Sequence, residues 1–255
     1  MEGHTVRTFD GDILTLRMRV LEMGGLAIDQ IQRAVLALVR GDDDAAHEVI
    51  ARAVQVAGYG QSIEEEIIGL IARRQPVASD LRAILAIGRV ATDLERVGNA
   101  ARKIARLSVE LNSSSERSPL PHLYNDVRKM SRLAVAMLRD ALDAFDRVDL
   151  ARAAATAERD RELDAEFQLA LRELVTYVME DPRHLKSTVH TVFLLKALER
   201  VGDHARSIAA SVPRLARRED AGAAGAEPHP DPGVAPLASF AGADRREPPT
   251  ESRLG

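Results

Sequence analysis

The sequence predicts an all-α protein made of two pseudo-symmetric repeated three-helix bundles, six long antiparallel helices in total. Three observations carry that expectation. The composition suits packed helices: aromatic residues make up only 3% of the chain and Trp is absent, while Ala, Leu, Val, Arg and Glu predominate. Apolar residues recur at steps of three and four along six separate segments. Finally, Leu-Glu-Arg-Val-Gly occurs twice, at Leu94 to Gly98 and again at Leu198 to Gly202.

The elements follow in chain order. Asp10 or Asp12 caps a first helix through "ILTLRMRVLEMGGLAIDQIQRAVLALVR", which Gly41 closes. Asp42 to Asp44 open a second helix that ends near Arg73, and "GYG", Gly58 to Gly60, marks a kink within it. "RQPVASD", Arg74 to Asp80, is a turn, and a third helix reaches about Leu111. The polar run 112–122 is a linker. A fourth helix extends to about Arg147, and a fifth runs from Asp149 to Glu180. The sixth starts at "EDPRH", with Asp181 as N-cap and Pro182 as first helical residue. Two repeats thus occupy residues 1–111 and 123–218, and residues 219–255, rich in Ala, Gly and Pro, are expected to be a disordered tail. Helices of ~30 residues would each span roughly 45 Å.

The numbering supports a duplication. Glu199 minus Glu95 is 104, and the same offset carries Leu194, Leu198, Val201, Ala205 and Ile208 onto Val90, Leu94, Val97, Ala101 and Ile104. Every position stays apolar at helical spacing. Between the first two helices of each repeat, Arg40-Gly41-Asp42 matches Arg147-Val148-Asp149 at an offset of 107.

Composition also bounds function. A formal charge of −4 leaves no general excess of base for nucleic acid. Cysteine is absent, which removes disulfides and thiolate metal sites. The start "MEGHTVRTFDGD" has no apolar h-region, and no segment approaches the roughly 18 apolar residues of a membrane span. A cytoplasmic protein is expected, with any membrane association made through partners.

The chemistry concentrates in the second repeat. Glu199 and Asp203 stand four apart on one helical face, and Gly202 beside them lets another backbone approach. Asp160 and Asp164 on the fifth helix are in register with Phe167, Leu171, Leu174 and Val178, so both are expected to point toward the bundle. Four converging carboxylates would repel by roughly 3 kcal/mol per pair at ~6 Å and an effective dielectric near 20. A cation, retained protons or arginines must offset that, and Arg159, Arg161, Arg200 and Arg206 are close in sequence. Oxygen-only ligands would suit Mg²⁺, Ca²⁺, Mn²⁺ or ferric iron. In the first repeat only Glu95 keeps the acid: Asn99 replaces the aspartate, and alignment by helix position puts Ala57 and Gln61 where Asp160 and Asp164 stand. That site reads as degraded. No Glu-x-x-His, phosphate-cradling loop or nucleophile with a base is evident, and His204 reads as a surface or helix-end residue.

"RQPVASDLRAILAIGRVATDLERVGNAA" and "VMEDPRHLKSTVHTVFLLKALERVGDHARSIA" resemble the two signature segments of the PhoU family of phosphate-uptake regulators. The resemblance covers roughly Phe9 to Leu215. It implies paired three-helix bundles without catalytic activity, acting as a cytoplasmic adaptor and a homodimer. The implied partners are the ATPase subunit of the phosphate ABC transporter and a sensor histidine kinase, and the implied task is to keep phosphate-starvation genes off. Some members hold multinuclear iron or zinc clusters through Glu/Asp-x-x-x-Asp motifs. Carried onto this chain, those fall on Asp160 with Asp164 and on Glu199 with Asp203. One site for iron, zinc or another divalent cation, or none, is therefore expected, in the second repeat. The alternative reading is a metal-binding helical bundle with a storage or hydrolytic role.

Overall fold

A computed structural model of the chain describes residues 2–76, 78–113 and 121–216. The expected tail, apart from what precedes it, and most of the expected linker lie outside these residues. Six long α-helices make up most of the described chain: α1 (Glu2–Arg40), α2 (Asp43–Arg74), α3 (Ala78–Ser113), α4 (Pro121–Arg147), α5 (Leu150–Glu180) and α6 (Leu185–Ala209), and residues 212–216 are helical as well. A single 3₁₀ turn, Pro182–His184, leads into α6. Three boundaries differ from expectation. Helix α1 begins at Glu2, ahead of Asp10 and Asp12, and α2 runs unbroken through Gly58 to Gly60. At the linker, Asn112 and Ser113 continue α3, and the Asn112 amide donates to Asp43 Oδ1 at 2.8 Å, tying the end of α3 to the start of α2.

The repeats share their first turn as well as their helices. Gly41 adopts φ 65°, with Gly41 N–H donating to Leu38 O and Asp42 N–H to Ala37 O, a Schellman closure of α1. Val148 takes the same left-handed conformation at φ 53°, and Asp149 N–H donates to Ala144 O. Each following aspartate then caps the next helix: Asp42 Oδ1 accepts from Ala45 N–H and Asp149 Oδ1 from Arg152 N–H, both at 2.9 Å. Asp181 caps the 3₁₀ turn as expected, accepting from Arg183 N–H at 3.0 Å. The Arg183 side chain also donates to it and holds its carboxyl down at about 2.

Helices α1, α2 and α3 pack on one another, as do α4, α5 and α6. The duplicated apolar stripe forms the two cores: Val90, Leu94, Val97, Ala101 and Ile104 are wholly buried, as are Leu198, Val201, Ala205 and Ile208. The bundles meet through α3 on α6 and α1 on α4. Across the second contact, Arg17 donates to the carbonyl of Phe145 at 3.1 Å, and Gly24 leaves space that Leu142 fills. No described helix is long and apolar enough to cross a membrane.

Candidate functional site

Gly202 brings α5 and α6 together. A Cβ there would stand 2.3 Å from Leu163 Cδ2 and 3.6 Å from Asp160 Oδ1, so any larger residue would have to displace the Leu163 side chain from this crossing. That approach buries Asp160, while Asp164, one turn on, stays exposed. The buried row of α5 runs Asp160, Leu163, Phe167, Ala170, Leu174, and Asp164 falls off its edge. The shared direction expected of the two aspartates therefore holds only in part.

On α6, Glu199 is nearly buried and Asp203 is half-exposed. The other three carboxylates act on Asp160. Asp160 has its pKa raised, first by burial and then by the charges of Asp164, Asp203 and Glu199. Arg206 opposes that rise: its Nε lies 2.9 Å from Asp160 Oδ2, and its guanidinium also reaches Asp203 Oδ1 at 3.3 Å. Lys196 neutralises Glu199 and rests 5.3 Å over the Phe167 ring. Glu199 Oε2 is buried without a hydrogen-bond partner among the described residues. Arg159, by contrast, leaves the group and pairs with Asp140.

The donor chemistry is that of a hard-ion site, and two of its four carboxylate charges are offset from within, by Arg206 and Lys196. Arg206 occupies the approach between Asp160 and Asp203, and among the described residues no three acidic or histidine side chains gather as an ion-binding set. As it stands, the geometry is that of a carboxylate–guanidinium network.

The first repeat shows what a site without acids looks like. Gly98, the counterpart of Gly202, meets Val56, where Gly202 meets Leu163. Leu163 minus Val56 is 107, the offset already seen at the inter-helix turns. This register sets Ala53 against Asp160 and Ala57 against Asp164, one turn from the pairing expected with Ala57 and Gln61. Gln61 instead donates to Glu65 at 3.3 Å on the exposed face. Asn99 accepts from Arg102, and Glu95 lies beside Gly60, its Oε2 3.5 Å from where a Cβ would be.

A second polar cluster was not expected. Asp93 on α3 is buried between the bundles, accepting from Ser207 Oγ at 2.7 Å and facing His204 Nδ1 at 3.1 Å. His204 is thus held in the α3–α6 seam rather than at a surface or helix end. Because Ser207 bonds the carboxylate and not the imidazole, the three do not form a nucleophile with its base. The signal was present in the sequence: Asp93 interrupts an apolar row where its repeat counterpart, at an offset of 104, is Ala197.

A family model described as the PhoU domain matches twice, over residues 20–108 and 127–212. Among curated relatives, the phosphate-specific transport system accessory protein PhoU homolog of Pseudomonas putida is 42% identical over 85% of this chain and 84% of its own length. The Caulobacter vibrioides homolog is 36% identical over 82% of this chain and 90% of its own length. Among solved structures, PhoU from Pseudomonas aeruginosa superposes with a TM-score of 0.77 at 41% identity, covering 82% of this chain and 99% of that one. The phosphate transport system regulatory protein PhoU from Streptococcus pneumoniae gives 0.72 at 26% identity, covering 82% and 96%.

Proposed function

The chain belongs to the PhoU family, and on that premise we propose that it is a non-catalytic adaptor that represses phosphate-starvation signalling and restrains phosphate uptake. The observation that supports this most is the double family match: both repeats are matched, so the whole two-bundle body is what the accessory proteins of phosphate transport share with this chain. In this reading its helical faces engage the ATPase subunit of the phosphate ABC transporter and a sensor histidine kinase, in the cytoplasm, with the protein itself a homodimer. Co-purification under native conditions tests it. Full-length protein should recover both the ATPase subunit and the kinase, and recovery of neither would contradict the adaptor role.

A second reading concerns the acidic network. Among the described residues Glu199 Oε2 has no hydrogen-bond partner, and the charges of Asp164, Asp203 and Glu199 all act on Asp160, which favours binding of iron, zinc or another divalent cation if Arg206 is displaced and the carboxylates draw together. Elemental analysis of untagged protein distinguishes the balances. Arg206→Ala should retain more divalent metal than wild type, because Arg206 and the ion compete for the same carboxylates. Equal metal content in the two proteins would show that Arg206 does not guard the site.

A further inference from the structure

The seam between the repeats contains a cleft of about 490 Å³ lined from α3 by Arg96, Asn99 and Lys103 and from α6 by Arg200, Asp203 and His204. Three cations thus face one carboxylate, and Asp203 already pairs with Arg206. Lys103 sits 4.9 Å over the Phe193 ring. Among the described residues, neither Arg96 nor Arg200 makes an ion pair or side-chain hydrogen bond.

Symmetry explains why two arginines meet here. Helices α3 and α6 run in opposite directions, since Asp93 faces His204 and Lys103 faces Phe193. Those facing residues differ by 111 (204 minus 93) and by 90 (193 minus 103), so the repeat offset of 104 falls between them. Arg200 minus Arg96 is 104: the two are each other's repeat mates, and the pseudo-two-fold axis crosses the seam beside them. Like charges brought together by symmetry repel, and neither can serve as the other's partner. An oxyanion between them satisfies both, because the guanidinium fork matches its geometry. His204 adds a polar edge: its Nδ1 is turned to buried Asp93, which fixes the ring and leaves Nε2 unengaged by that carboxylate.

We propose that this cleft binds a small phosphate-bearing anion between Arg96 and Arg200, with Lys103 as a third cation and His204 as an oriented polar contact. The size is that of small-molecule sites, so inorganic phosphate and a nucleoside diphosphate share the required chemistry. The site shares Asp203 with the acidic network but binds through Arg96, Arg200 and Lys103, which that network does not use, and it does not depend on the adaptor reading.

Isothermal titration calorimetry on the full chain at low salt tests this, with inorganic phosphate and ADP as separate probes. Wild type should bind at least one. Binding of phosphate identifies free anion as the source, and binding of ADP alone identifies a nucleotide. Arg96→Ser with Arg200→Ser should weaken that binding at least roughly tenfold. Both side chains are exposed, so the melting temperature should not fall. Arg96→Lys with Arg200→Lys should retain part of the affinity, through charge without the fork. Absence of binding by wild type to both probes, or a smaller loss in the serine variant, would overturn the proposal.

Discussion

Asp160 is the residue where burial and charge compete most directly. Burial raises its pKa above the ordinary value of 3.8 more than Arg206 lowers it, so the ionised form is less comfortable in the fold than in the unfolded chain. A raised folded pKa contributes stability below the unfolded value and forfeits it as pH rises through the folded value. At neutral pH, Asp160 therefore costs stability. Asp160→Asn should melt above wild type at pH 7, and the gap should close as pH falls below 3.8. A variant that melts lower at pH 7 would show that the Arg206 pair outweighs desolvation. At this scale the sequence was legible in type but not in pairing. The four acids were visible from their spacing, but which arginine would neutralise them was not, because Arg159 is adjacent to Asp160 in sequence yet pairs with Asp140, and only the helix crossing brings Arg206 to Asp160. Asp93 went unnoticed because one acid inside an apolar row looks like an exposed position until a second helix is packed over it.

Helices and turns were the most legible part of the chain. The stripe through Leu94 and Leu198 is a pattern that only a packed helix explains, and all of it is buried. The start of α1 was misplaced because Asp10 and Asp12 look like caps, yet the helix runs on past them to Glu2. The register of α2 against α3 slipped by one turn because it is set by a contact, Val56 on Gly98, and not by any local motif. At the first turn of each repeat the two copies use different residues. Gly41 adopts a positive φ at no steric cost, whereas Val148 does so while its side chain packs partly into the core, which offsets the strain. Gly41→Ala should therefore lower unfolding free energy by ~1 kcal/mol, the cost of a left-handed residue with a Cβ. Urea denaturation measures this directly, and an unchanged midpoint would mean that the turn relaxes out of its left-handed conformation.

As a whole molecule the protein is two bundles that share one seam, and the copies have diverged in what they carry. The second repeat keeps an acidic network where α5 crosses α6, while the first has Ala53, Ala57 and Asn99 at the matching positions. The seam gathers residues from both copies: Asp93 with His204 and Ser207, and Arg96 beside Arg200. The duplication was legible from five repeated residues, since identical pentapeptides on matching stripes demand matching folds. The seam was not, because it joins residues about a hundred positions apart through helix packing alone. The central claim, that this body represses the phosphate-starvation response, is tested most directly by an alkaline-phosphatase reporter in a strain lacking the protein, grown at high phosphate. The account predicts that reporter activity rises and returns to baseline when the gene is restored. Activity that stays at baseline without the protein would contradict it.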